Sequence, residues 1–227
     1  MVIHNANGTS EVIEFREEAP AAASRDMFLA PGASSVLGGL AVAVPTELHG
    51  LHLAWERHGR LPWARLVTPA ADLADGFAVG KSLAIAISKK RDELAMFPTS
   101  AEVFLKPGTM EPLQEGDTCR NTRLAATLRR VANEGPGILR EGALAESLAQ
   151  DIRDAGGIVT AGDLAQYRPR IMAPLRAQAM GFTLLGMPPP SSGGAAVARV
   201  LEFLGGYARP LSSPGQGLAD IAGHAMV

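Results

Sequence analysis

The chain is poor in cysteine, lysine and aromatic side chains. A single cysteine, Cys119, stands among 227 residues. It leaves no partner for an internal disulfide and excludes a zinc site built on several thiolates. Only four of the 21 basic residues are lysine (Lys81, Lys89, Lys90 and Lys106), and the remaining arginines read as a compositional bias of the source. No run of about 18 apolar residues occurs, so no segment is expected to cross a membrane. The formal net charge is −2 and no basic stripe exists, so nucleic acid is not an expected partner. The first residues, Met-Val-Ile-His-Asn-Ala-Asn-Gly, hold no signal peptide and leave the compartment open. What is present is 47% hydrophobic against 19% charged residues. That balance excludes disorder as the main reading and suits one ordinary domain, or most of a larger one.

Val2-Ile3, the turn residues Asn5-Ala6-Asn7-Gly8, and Val12-Ile13 predict a β-hairpin with Gly8 at positive φ. A lone hairpin is barely stable and calls for further strands. Residues 17–46 are broken by proline and glycine and are expected to be loop. From Thr46 to Gly59 the pattern is helical, with Leu48, Leu51 and Trp55 on the buried side. Pro62 opens a second helix, with Leu66, Ala70, Leu73 and Ala74 as its apolar face. A third helix is expected over 83–94 and a loop over 97–118. Asn121 caps a fourth helix and Leu144, Leu148 and Ile152 line a fifth. Thr160 to Asp163 is a capping box with aspartate in the usual glutamate place. Residues 182–187 suit a strand, Pro188 to Gly194 a break, and 195–204 a last helix. The fold class read from this is α+β, with about six helices against three strands and an incomplete sheet.

Several residue groups could carry chemistry. His49, His52 and Glu56 share one helical face with His58 nearby, a set that zinc would accept. Because Leu48, Leu51 and Trp55 already define the buried side, the set reads as a solvated face, and no metal is expected. Cys119 follows Thr118 in what reads as a polar loop, with Arg120 beside it to lower its pKa, but no histidine motif accompanies it. Ser191 and Ser192 lack the glycine that a nucleophile elbow needs two positions earlier, so a helix cap with close backbone packing is the better reading. The pairs Asp72/Asp75 and Glu17/Glu18 lack the apolar setting that would split their pKa values. Arg16 ends the expected strand Val12-Ile13-Glu14-Phe15. A guanidinium there can grip a carboxylate with two parallel hydrogen bonds, or simply pair with Glu17 or Glu18 at the surface.

An ordered set of motifs then resembles one family. Phe15-Arg16-Glu17-Glu18-Ala19-Pro20 is similar to the "FRE-x-AP" segment of γ-glutamyltransferases, the glutathione hydrolases. His58 to Trp63 with Pro69 to Phe77, Gly116-Asp117 with Leu124 to Pro136, Gly156 to Tyr167, and Pro188 to Gly194 resemble its later stretches in the same order. The likeness covers about residues 1–205, a partial large-subunit domain. Residues 206–227 match weakly and are expected to be an irregular tail. The resemblance implies an Ntn-hydrolase fold, an αββα sandwich that is incomplete here and mostly the helical part of the large subunit. It implies an enzyme that moves the γ-glutamyl group of glutathione and related compounds to water or an amino acid. Family precursors cut themselves, and the new N-terminal threonine of the small subunit is the nucleophile, its own amine acting as base. No cofactor is implied. Arg16 takes the role of the arginine that holds the glutamyl α-carboxylate.

The departures carry equal weight. No threonine is followed by histidine within two residues, so the family's nucleophile is absent from this chain and no catalytic residue is assigned. Thr46 stands where glycine is usual, and Leu139-Arg140 where Phe-Tyr is usual. The expectation is a fragment with no activity alone and with poor solubility. The competing readings are a non-catalytic module that binds γ-glutamyl compounds and half of a split enzyme that needs the family's small subunit. Family members are often exported, to the periplasm or beyond the cell.

Overall fold

The computed structural model describes residues 1–179 and 181–206. Apart from Gly206, the tail expected over 206–227 lies outside them. In chain order, strands β1 (Val2–His4) and β2 (Ser10–Glu14) come first. After a loop with one 3-10 turn (Gly39–Ala41) come helices α1 (Glu47–His58) and α2 (Trp63–Asp75). Strand β3 (Phe77–Ala78) precedes α3 (Lys81–Lys89), α4 (Arg91–Ala95) and α5 (Pro98–Phe104). Then follow β4 (Thr118–Cys119), α6 (Thr122–Glu134), α7 (Ala143–Asp154) and α8 (Ala161–Gln166). Strands β5 (Arg170–Met172), β6 (Leu175–Ala179) and β7 (Phe182–Gly186) lead to α9 (Gly193–Gly206).

The chain divides into two units, Met1–Glu14 with the residues from Arg170 on, and Phe15–Pro169. In the first unit the hairpin forms as expected. Val2 lies opposite Val12, His4 opposite Ser10, and Gly8 has φ 83. The further strand it needs is β5, with Ile13 opposite Ile171. Arg170 pairs with the buried Glu14 at 2.8 Å, fixing that register from the side chains as well. β6 and β7 form a second hairpin. Helix α9 starts against its end, where glycine is required. A Cβ on Gly194 would stand 2.5 Å from the Met187 carbonyl oxygen, and one on Gly186 would stand 2.9 Å from the Gly194 Cα.

In the second unit three apolar clusters form the core. One joins Val44, Ala145, Ala149, Ile152, Val159, Leu164 and Tyr167. A second surrounds Val79, Ile87, Leu105 and Cys119, and a third Trp63, Val67, Val131 and Ala132. Local capping chemistry matches the sequence. The Asn121 side chain accepts from the Leu124 N–H at 3.0 Å. Thr160 and Asp163 form the reciprocal box, and Asp163 reaches on to the Ala21 N–H at 2.8 Å, tying the loop to α8.

Three expectations fail. Helix α2 buries Trp63, Val67 and Ala71, whereas Leu66, Ala70 and Leu73 are exposed. Both stripes are apolar, and the choice is made by the Trp63 indole N–H, which donates to the Val131 carbonyl of α6 at 2.9 Å in the interior. The loop expected over 97–118 contains α5, whose Pro98 sits at its first turn, a position where proline initiates a helix. The helix expected over 83–94 is two, broken at Lys90. Strands β5 and β6 and the short ladder of β3 with β4 were also not foreseen. Among the described residues no helix is long and apolar enough to cross a membrane.

Candidate functional site

Arg16 lies on a segment held at several points. The Phe15 carbonyl accepts a hydrogen bond from the Thr46 hydroxyl at 2.5 Å. The Phe15 ring lies on the bare backbone of Gly50 in α1, where any Cβ would overlap it. Glu18 forms an antiparallel bridge with Val44, whose N–H donates to the Glu18 carbonyl at 2.9 Å. Strand β2 ends at Glu14, one residue before the sequence reading placed it. Between these anchors the Arg16 guanidinium remains about half exposed and stands 3.3 Å from the Glu17 carboxylate. The Glu17 carboxyl is held below its usual range, first by its own backbone N–H and then by Arg16. A half-exposed pair of this kind is held weakly. The backbone on both sides of Arg16 is thus held, while its guanidinium stays half exposed.

The sequence reading missed Thr46 and Gly50 as supports. Gly50 carried a signal, because glycine inside a helix costs about 1 kcal/mol relative to alanine and needs a reason. Thr46 sits at the N-cap position of α1, yet its hydroxyl makes no cap bond because it is spent on Phe15. Thr46→Val keeps the shape and leaves the Phe15 carbonyl unpaired. Urea unfolding is expected to show a loss of about 1–2 kcal/mol, with Thr46→Ser losing less.

The histidine set is not a solvated face. His49 is buried, with its ring edge-on to Tyr167 at 6.2 Å. His52 packs against Trp55 and Trp63 at 5.1 and 4.8 Å and stands 3.4 Å from Glu56. Leu48, Leu51 and Trp55 are only half-buried. Both sides of α1 are thus packed, which the pattern of leucines concealed. Among the described residues no three His, Cys, Asp or Glu side chains converge to hold a metal. Burial, and then the charges of Arg140, His52 and Arg168, lower the His49 pKa to about 4. The unfolded chain takes up this proton near pH 6.5 and the folded one only near 4. The resulting stability is present above pH 6.5 and is lost as pH falls toward 4. The loss is expected to be on the order of 2–3 kcal/mol, and His49→Leu should flatten that part of a stability–pH curve.

The other candidates resolve simply. Cys119 lies in β4 inside the second cluster, not in a polar loop, and burial raises its pKa. It is a core residue. Asp72 and Asp75 both pair with Arg129 of α6, so they join two helices. The Ser192 carbonyl accepts the first helical bond of α9, from Ala196 at 2.9 Å, and the Ser191 N–H donates to Pro188 at 3.2 Å.

A model of the gamma-glutamyltranspeptidase family matches residues 1–224. The chain belongs to that family. Glutathione hydrolase 3 of Arabidopsis thaliana is 38% identical over 219 residues, which are 96% of this chain and 34% of that protein. The glutathione hydrolase proenzyme of Escherichia coli (strain K12) is 37% identical over 227 residues, 97% of this chain and 38% of that protein. The crystal structure of Helicobacter pylori gamma-glutamyltranspeptidase superposes with a TM-score of 0.88 at 31% identity, covering 95% of this chain and 63% of that one. This chain therefore spans about a third of the length of the curated relatives it matches. Its fold is α+β, an incomplete Ntn-hydrolase sandwich made mostly of the helical part of the large subunit.

Proposed function

We propose that this chain is the arginine-bearing part of an enzyme that cleaves and transfers the γ-glutamyl group of glutathione and related compounds. The observation that carries this reading is the anchored segment around Arg16, set in a member of the gamma-glutamyltranspeptidase family. Arg16 binds the α-carboxylate of the glutamyl group through two parallel charge-assisted hydrogen bonds, displacing Glu17. The γ-carbonyl is then presented to a threonine supplied by the family's small subunit, because this chain has no threonine in the family's histidine-containing context. The threonine oxygen adds to that carbonyl while its own amine takes the proton. The leaving amine departs with that proton, and water or an amino acid then attacks the glutamyl ester, giving its own proton back through the threonine amine and releasing the threonine hydroxyl.

Two assays test this. The chain alone is expected to leave γ-glutamyl-p-nitroanilide uncleaved. In an assembly that also carries the nucleophile, Arg16→Met is expected to lower kcat/KM by about 10- to 100-fold. Arg16→Lys should recover only part of that, since an ammonium cannot make the two-pronged bond. Cleavage by the chain alone, or an unchanged kcat/KM in Arg16→Met, would overturn the reading.

A further inference from the structure

A second group of basic side chains gathers around His49 of α1. The His49 Nε2 and the Arg140 Nε are both buried, and neither has a hydrogen-bond partner among the described residues. His49 comes from α1 and Arg140 from the end of the 3-10 turn Pro136–Leu139. Arg168 follows Tyr167, whose ring is edge-on to His49. Its guanidinium is fixed by the carbonyls of Ala165 and Tyr167 at 2.6 and 2.7 Å. The charges acting on His49 are those of Arg140, His52 and Arg168, and none is a carboxylate. His52 itself already stands against Glu56 at 3.4 Å.

This grouping is costly as it stands. A buried N–H without an acceptor costs about 1–3 kcal/mol. We propose that His49, Arg140 and Arg168 form a site for a small oxyanion: a sulfate, a phosphate or a carboxylate. Arg140 donates its Nε–H to the anion, and Arg168 adds charge from the side. The other nitrogen of the His49 ring donates to the Pro136 carbonyl, so the neutral ring offers the anion a lone pair at Nε2. The anion therefore enters with one proton, taken from solvent and placed on Nε2, which then becomes a donor. No other bond forms or breaks. A water molecule in the same place behaves differently. It would accept from Arg140 and donate to Nε2, leaving His49 neutral.

That difference provides the test. The chain is labelled with [15N]histidine, and the five rings are followed by long-range 1H–15N spectra while sodium sulfate, phosphate or acetate is added. Sodium chloride at equal ionic strength is the control. The expected result at pH 6 is that His49 Nε2 changes from unprotonated to protonated as sulfate is added. The half-saturating concentration should fall about tenfold for each pH unit between 7 and 5. Arg140→Met should remove the response. The wild-type titration stands by itself should that variant not fold. A second wild-type readout is thermal unfolding, whose midpoint sulfate should raise more at pH 5.5 than at pH 8. Response to sulfate and phosphate identifies a tetrahedral ligand, and response to acetate a carboxylate. Either outcome supports the site. A His49 ring that stays neutral in all three salts, or that shifts equally in chloride, overturns it and leaves a buried water there.

Discussion

Replacing Gly50 by alanine is expected to destabilise the second unit by about 2–4 kcal/mol, against the usual sign of that change in a helix. Inside α1, alanine should help by about 1 kcal/mol, because it restricts the unfolded backbone. Here the added methyl would overlap the Cβ, Cγ and Cδ1 of Phe15. Neither partner can move freely. Gly50 is interior to α1, and Phe15 is held at its carbonyl by Thr46. The ring must leave, and Arg16 moves with it. Thermal unfolding should show a midpoint lower by roughly 5–15 °C. Gly162→Ala in α8 is the control, because its methyl would meet only the Thr160 hydroxyl at an ordinary 3.5 Å. That variant should be neutral or slightly stabilised. An unchanged Gly50→Ala protein would show that the Phe15 ring does not rest on α1.

Gly157→Ala is expected to cost a similar amount and to free the long loop before α1. Gly39 and Gly157 meet backbone to backbone. A Cβ on Gly157 would stand 2.5 Å from the Gly39 carbonyl oxygen, and one on Gly39 would stand 2.6 Å from the carbonyls of Ile152 and Ala155. The Gly39 N–H also donates to the Ala155 carbonyl at 3.0 Å. The loop thereby closes the end of α7, satisfying one of its last carbonyls. With alanine at 157 the loop must lift, losing that bond and the cover over the cluster around Val44 and Ile152. Urea unfolding should show a loss of about 2–4 kcal/mol. Limited proteolysis should cut faster within residues 21–42. Wild-type cutting rates there would mean that the loop is held from elsewhere.

The sequence alone determined whatever is decided within a few residues. The hairpin of β1 and β2 follows from its turn chemistry, with Gly8 free to take a positive φ. The caps at Asn121 and Thr160 follow because each side chain finds its N–H three residues on. The ordered motifs from Phe15 to Gly194 likewise pointed to the family, and the absence of a threonine–histidine pair was plain on inspection. Tertiary structure decided what depends on distant partners. Strand β5 joins β2 across more than 150 residues, and a three-residue stretch carries no periodicity to announce it. Helix α2 offered two apolar stripes, and only α6, by accepting the Trp63 N–H, selected one. His49 looked solvated until the Tyr167 ring packed edge-on against it and buried it. Arg16 was visible as a candidate, but what holds the neighbouring Phe15 is Thr46 and Gly50, some thirty residues away. Hydrogen bonds within a turn are written locally, whereas burial is a property of surfaces that meet only once the chain has folded.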